Sequence, residues 1–265
     1  MPIPTHELDR LAAVATGRSR AALAVEPVLD SAEQGRLAEL TTRREQGEPL
    51  QYLEGTAQFG PIEVAVDSRA LIPRPETERL WEEAVMSLGQ AGPGNVIVDV
   101  GTGSGVLALS LKHVFPQARV IATDTSADAL DLAEENVRRT GLEVELLHGD
   151  LLEPLPDRLR GRVDLIVSNP PYVAEAEFEL LATEIRDHEP RSALVAGPEG
   201  TEVMQRLAEE AYWWLGIGGW ALCEIGEAQS DAALLAFGAY DREVRSDLTG
   251  RPRLLVARKG ASCCV

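Results

Sequence analysis

Val96-Ile97-Val98-Asp99-Val100-Gly101-Thr102-Gly103-Ser104-Gly105 is the stretch on which the reading of the whole chain turns. Val96 to Val100 is a continuous strand-forming run, as expected of a strand covered on both faces. The glycines after it let the backbone turn sharply and come close to a ligand. A helix then follows from about Gly105 to His113. Moving toward the C-terminus, the pattern repeats. Arg119 to Thr123 reads as a second strand, and Ser126 caps a helix that runs through Arg139 and stops at Gly141. Val144 to Leu147 and Val163 to Val167 are a third and a fourth strand. A helix over Glu202 to Leu215, a strand over Trp220 to Ile225, another helix and a last strand over Arg253 to Ala257 complete the series. Strands alternating with helices predict a doubly wound, mostly parallel α/β sheet, with ligands held beyond the carboxyl ends of its strands.

Toward the N-terminus the texture differs. Leu8, Leu11, Ala12 and Ala15, then Leu37 and Leu40, recur with helical spacing, and Arg43-Arg44 ends the second of these runs. Gly47 and Pro49 punctuate it, and turn signals fill Gly55 to Pro61. Ile62 to Val66 alternates as a strand, and Ala70-Leu71-Ile72 resumes it before Pro73 and Pro75. The expected division is a helical domain over 1–54, a β-hairpin linker over 55–74 and a large α/β domain over 75–265.

Composition narrows the function. In 265 residues, Asp and Glu number 43 against 25 Lys and Arg, a net charge of −18, with 45% hydrophobic and 26% charged residues. The balance is that of a folding globular chain whose field repels polyphosphate, which argues against direct nucleic-acid binding. The apolar stretches are too short for a membrane span. The first residues have neither the basic nor the apolar part of a secretion signal. Cys223, Cys263 and Cys264 form no disulfide framework, and His6, His113, His148 and His188 lack ligand spacing, so no metal is expected. A soluble cytosolic, cytoplasmic protein is the expectation. Trp213-Trp214 reads as packing, and the charged run Asp241 to Arg245 as a solvated face.

The glycine loop discriminates among cofactors by its register. A dinucleotide fingerprint needs its third small residue at position 106, where this chain has Val106. The spacing G-x-G-x-G over Gly101, Thr102, Gly103, Ser104 and Gly105 is that of class I S-adenosylmethionine-dependent methyltransferases, with a Rossmann-like sheet. Asp124, nineteen residues after Gly105, ends the second strand, where a carboxylate accepts from ribose hydroxyls; Thr125 and Ser126 make better helix caps. Asp150 follows the third strand, either as an adenine contact or as a loop aspartate.

The fourth strand ends in Ser168-Asn169-Pro170-Pro171-Tyr172. Two prolines fix the backbone and remove two N–H donors, leaving carbonyls free to accept. The Asn169 side chain adds an acceptor and Tyr172 a flat ring. Together they suit a planar group carrying NH₂, held by two acceptors with its nitrogen turned toward a methyl donor at Gly101 to Gly105. Asn169 thus borders both ligands. Positioning, with no strong base, is the expected source of rate.

These residues resemble the HemK/PrmC family, protein-glutamine N5-methyltransferases acting on class I peptide chain release factors. The resemblance covers nearly the whole chain. It rests on Gly47-Glu48-Pro49-Leu50-Gln51-Tyr52-Leu53, on Leu71-Ile72-Pro73-Arg74-Pro75-Glu76-Thr77-Glu78, on the glycine loop, on Asn169 to Tyr172, and on Glu189-Pro190-Arg191 with Gly197 to Gly200. It implies S-adenosylmethionine as cofactor, S-adenosylhomocysteine as product, and the glutamine of a Gly-Gly-Gln loop as acceptor. It further implies that Asn169 Oδ1 and the Pro170 carbonyl hold the acceptor amide with Pro171 and Tyr172 packed beside it. Arg74 and Glu76 would lie along the acceptor loop, although Arg74 also reads as a surface ion pair. Leu151 stands where several relatives have an aromatic, so adenine would pack on an aliphatic face. The N-terminal helices would recognise the release factor. The alternatives are other acceptors of the same Asn-Pro-Pro-Tyr chemistry, namely a ribosomal-protein glutamine or a nucleic-acid adenine, and a non-catalytic cofactor-binding module.

Overall fold

The computed structural model describes residues 3–247 and 249–261; Cys263 and Cys264 lie outside them. The chain opens with α1 (Thr5–Thr16), α2 (Arg20–Val25), α3 (Ser31–Glu45) and α4 (Leu50–Glu54). The helical spacing seen in the sequence has its physical outcome here: Leu11 packs with Leu50 and Leu53, and Leu37 and Leu40 close over them. At the start of α3 the Asp30 carboxylate accepts from Glu33 N and the Glu33 carboxylate from Asp30 N, a reciprocal cap. Near its end, Arg44 pairs with Glu7 at 2.7 Å and with Glu184, far along the chain, at 3.1 Å.

A two-stranded hairpin follows, β1 (Thr56–Phe59) and β2 (Ile62–Ala65), turning at Gly60 with φ 48. The strand expected to resume over Ala70-Leu71-Ile72 does not form. Asp67 turns the backbone by accepting from Arg69 N at 3.0 Å, and Pro73 and Pro75 have no N–H to give a ladder. Residues 66–74 instead run as an irregular strap with Ala70 and Ile72 buried. The Tyr52 hydroxyl of α4 donates to the Ala70 carbonyl at 3.0 Å.

The rest is α5 (Pro75–Leu88), β3 (Val96–Val100), α6 (Val106–Val114), β4 (Arg119–Asp124), α7 (Ala127–Thr140), β5 (Glu145–His148), β6 (Val163–Ser168), β7 (Val173–Ala174), α8 (Thr183–His188), β8 (Val195–Gly197), α9 (Glu202–Trp214), β9 (Leu215–Glu224), α10 (Ser230–Ala236), β10 (Asp241–Ser246) and β11 (Pro252–Arg258). Seven of the strands form one sheet in the order β10-β11-β9-β6-β3-β4-β5. The inner pairs are parallel, and β11 runs antiparallel to both of its neighbours. Successive residues of β3 enter opposite cores: Val96, Val98 and Val100 pack with α9 and α10, Ile97 with α5 and α6. The chain leaves β3 toward β4 and β5, then returns to place β6 on the other side. The strand order therefore reverses between β3 and β6, where a crevice opens at the carboxyl ends.

Two boundaries differ from expectation. The strand placed at Trp220 begins at Leu215, because Gly216, Gly218 and Gly219 hide its start in the sequence. Asp241 to Arg245, read as a solvated face, is solvated at its first three residues and forms most of an edge strand. Its charge suits an edge that must not pair with another chain. Trp214 is buried while Trp213 is 67% exposed, so only the second of the pair is core. Cys223 is buried within β9.

Candidate active site

The carboxyl ends of β3, β4 and β6, the loop after β5, and the 66–74 strap enclose a cavity of ≈ 310 Å³. Gly101, Gly103 and Gly105 all take left-handed conformations, at φ 70, 56 and 81, which explains the glycine at each place. The amides of Gly101 and Thr102 donate to the Thr123 carbonyl at 2.9 and 3.0 Å, tying the loop to β4. A Cβ on Gly103 would come within 3.7 Å of the Ala70 Cβ, so the strap lies directly over the loop. From α7, Asn136 Oδ1 accepts from Ala65 N at 2.6 Å, while its Nδ2 donates to the Ala65 and Ser104 carbonyls at 3.0 and 2.9 Å. One buried side chain thus joins the hairpin to the glycine loop.

Asp124 lines the cavity. Its Oδ2 accepts from Gly103 N and its Oδ1 from Ser126 N, both at 2.9 Å, and each oxygen keeps a further lone pair for a ligand hydroxyl. Ser126 is the cap of α7, accepting from Ala129 N at 3.2 Å, so Asp124 is not needed for that task. Asp150 also lines the cavity, and its Oδ2 accepts from Arg206 at 2.6 Å. Leu151, buried beside it, is left-handed at φ 44 without being glycine. Such a backbone costs ~1–2 kcal/mol and persists where surroundings impose it. Here Thr123 Oγ1 donates to the Leu151 carbonyl at 2.8 Å, and Leu152 N donates to Glu210 at 3.2 Å.

Asn169, Pro170 and Pro171 form the opposite wall. Asn169 Nδ2 donates to Thr77 Oγ1 at 3.1 Å; among the described residues its Oδ1 is buried with no partner. An unpaired buried carboxamide oxygen is costly, and this one belongs to a residue of the cavity wall. Tyr172 is half-buried and does not line this cavity; its carbonyl accepts from Gln229 at 2.9 Å. Burial pushes its phenol up to about 12, with the Glu224 carboxylate adding to the shift. Arg74 lines the cavity, but it is no surface ion pair. It binds Glu189, which is 5% exposed and also accepts from Ile72 N at 3.2 Å, so the pair fastens the strap. Glu76 is exposed in the first turn of α5 and is not in the cavity wall.

The sequence reading passed over three carboxylates. Asp99 is fully buried, and its Oδ2 accepts from Thr102 Oγ1 at 2.6 Å and Ala108 N at 3.1 Å. Burial pushes it up to about 7 against those bonds. Glu224, at the carboxyl end of β9, accepts from Thr77 Oγ1 at 2.8 Å and is likewise pushed up to about 7 by burial. Glu189 is the third. An acidic residue near the end of an apolar strand was the available signal for Asp99 and Glu224; Glu189 stood out only within the Glu189-Pro190-Arg191 segment of the family resemblance, with no role attached.

Beside the cavity, α1, α4 and the hairpin border a wider cleft of ≈ 960 Å³ lined by Arg10, Arg18 and Arg20 together with Glu54, Glu63 and Glu78. Pro73 and Arg74 line both spaces. Among the described residues no helix is long and apolar enough to cross a membrane.

Known proteins resemble this chain in sequence and in fold. Residues 1–55 match the PrmC N-terminal domain, and residues 84–219 the Methyltransferase small domain. A release factor glutamine methyltransferase of Deinococcus radiodurans is 44% identical over 219 residues, covering 82% of this chain and 77% of that protein. Its counterpart in Streptomyces coelicolor is 38% identical, covering 98% of this chain and 92% of that protein. A methyltransferase from Pyrococcus furiosus shares the fold at a TM-score of 0.58 and 19% identity, covering 88% of this chain and all of that one.

Proposed function

This chain belongs to the release factor glutamine methyltransferase family, and on that premise we propose that it methylates the side-chain amide nitrogen of the glutamine in the Gly-Gly-Gln loop of class I release factors, with S-adenosylmethionine as donor. The observation that carries the reading is the buried, unpartnered Asn169 Oδ1 in the cavity wall across from the glycine loop. A primary amide offers the N–H donor that this oxygen lacks, and the Pro170 carbonyl takes the second. Gly101 to Gly105 give close backbone approach, Asp124 an acceptor pair for ribose, and Asp150 and Leu151 the adenine end.

When bound, S-adenosylmethionine supplies an electrophilic methyl: the new N–C bond replaces the C–S bond, S-adenosylhomocysteine remains, and one amide proton leaves to solvent. The residues do the rest by placement. An amide nitrogen is a poor nucleophile because its lone pair is delocalised. Two acceptors gripping its hydrogens keep it facing the donor and favour the pyramidal geometry of the transition state. Tyr172 packs behind this grip and outside the cavity itself. The helices over 1–54 and the charged cleft beside them form the recognition part, the hairpin links it to the catalytic part over 75–265, and Arg74 stands where the two spaces meet. Reaction takes place in the cytoplasm, where release factors work, and needs neither nucleic acid nor membrane.

The test is peptide mass spectrometry of unmethylated release factor after incubation with the enzyme and S-adenosylmethionine. One added methyl on the Gly-Gly-Gln glutamine is expected. An unmodified glutamine, with cofactor binding confirmed by calorimetry, would overturn the assignment.

A further inference from the structure

A carboxamide is nearly symmetric in shape, so nothing steric tells Asn169 which end to present. If its NH₂ faced the acceptor amide, donor would meet donor and the grip would fail. The orientation must come from what holds the far end, and here two side chains from other elements do so. Thr77 in α5 accepts from Asn169 Nδ2 at 3.1 Å and donates its own proton to Glu224 Oε2 at 2.8 Å. Thr77 is 3% and Glu224 3% exposed, so water does not compete for these bonds. The direction is dictated by chemistry. A hydroxyl has one proton, and the ionised Glu224 carboxylate, which can only accept, takes it; lone pairs then remain for Asn169, which must offer an N–H.

We propose that Thr77 and Glu224 are positioning residues that set the rotational sense of the Asn169 carboxamide, so that Oδ1 faces the acceptor and the site selects a ligand that brings an N–H donor. The inference rests on the function proposed above. It goes further in assigning roles to two residues outside the acceptor motif and in explaining why the site takes an amide: an acceptor presenting only lone pairs, such as a glutamate in place of the glutamine, is refused. It also explains a buried acid that otherwise serves no helix cap. The charged groups around Glu224 are Arg253, Glu76 and Arg74, none of which takes over the bond to Thr77.

The test pairs Thr77→Val, which keeps the shape and removes the hydroxyl, with Thr77→Ser, which restores it. On release factor, Thr77→Val should lower kcat by roughly two- to tenfold, the worth of one lost orienting bond. Its calorimetric affinity for S-adenosylmethionine should stay within about twofold, and Thr77→Ser should recover most of the rate. Equal rates for the two variants would overturn the proposal. Should Thr77→Val not fold, Glu224→Asp against Glu224→Met asks the same question, since Asp keeps a group that can only accept from Thr77 and Met has none. Asp retaining far more rate than Met supports the relay, and equal loss in both overturns it. A second readout does not depend on turnover: the Asn169 side-chain NH₂, identified in nitrogen-15 spectra by its disappearance in Asn169→Ala, should exchange slowly in the wild type and in Thr77→Ser, and fast in Thr77→Val. If the wild type methylates no release factor, the proposed function fails. The relay is then judged by exchange alone, and unchanged exchange in Thr77→Val overturns it.

Discussion

Gly200→Ala should damage the acceptor wall from behind, without touching the cavity. Gly200 sits at φ 78, and a Cβ there would lie 2.7 Å from the Tyr172 carbonyl oxygen, 2.9 Å from Ala174 N and 3.2 Å from Gln229 Nε2. Two of these neighbours are backbone and cannot swing aside. Gln229 holds both segments together, donating to the carbonyls of Tyr172 at 2.9 Å and Gly200 at 3.0 Å. The left-handed backbone alone costs an alanine ~1–2 kcal/mol. Overpacking against fixed atoms adds ~1–3 kcal/mol, so a destabilisation of roughly 2–5 kcal/mol is expected. Relief comes from moving Tyr172, the last residue of Asn169-Pro170-Pro171-Tyr172, by a few tenths of an ångström. Misplacement of an orienting group by 1 Å costs about a hundredfold, so for a few tenths of an ångström a kcat loss of roughly three- to tenfold should accompany the loss of stability. Urea unfolding gives the first quantity and methyl transfer to release factor the second, with cofactor calorimetry as the control. A variant destabilised by less than ~1 kcal/mol with undiminished kcat would show that the close approach does not brace the motif.

Asn169→Ala should keep cofactor affinity within a few-fold and lose nearly all turnover; calorimetry showing abolished cofactor binding would contradict its role as an acceptor-orienting group. Asp124→Ala should do the reverse, weakening cofactor binding at least about tenfold, because it also frees Gly103 N and Ser126 N; unchanged affinity would count against it. Asp99 has its folded-state carboxyl raised from the ordinary 3.8 to about 7. Its contribution to stability is fully present below about pH 4 and is lost as pH rises through about 7. Urea midpoints measured across that window should therefore fall with pH in the wild type and fall less in Asp99→Asn, and identical slopes would refute the shift.

The fold was legible wherever local pattern and tertiary role agree. Val96 to Val100 announces a doubly buried strand because both faces of β3 meet apolar cores, and Ser126 and Gly141 bound α7 as their capping chemistry predicts. It was illegible where long-range contact overrides local preference. Ala70-Leu71-Ile72 has the composition of a strand, yet no neighbour offers it an edge. It is buried instead by Glu189, Tyr52 and the glycine loop, all distant in sequence. The Asp241 to Arg245 strand was hidden in the opposite sense, since its charges serve an edge and give no apolar signal. At the site, glycines, Asp124 and Asn169 could be placed by motif spacing alone. Thr77, Glu189 and Glu224 could not, because their meaning lies in partners more than ninety residues away.

The strap also bears on protein engineering by recombination. A junction just before the hairpin looks like a clean place to exchange N-terminal segments between relatives and so transplant partner preference. Tyr52, however, reaches forward to hold Ala70, and Arg44 reaches Glu184. A graft cut at residue 54 carries Tyr52 and Arg44 away from Ala70 and Glu184, so the strap over the cavity keeps its Glu189 anchor but meets a foreign residue at its Tyr52 one. Working chimeras should need the strap and α8 to travel with the helices, so the exchangeable unit is a discontinuous surface and not a contiguous cassette.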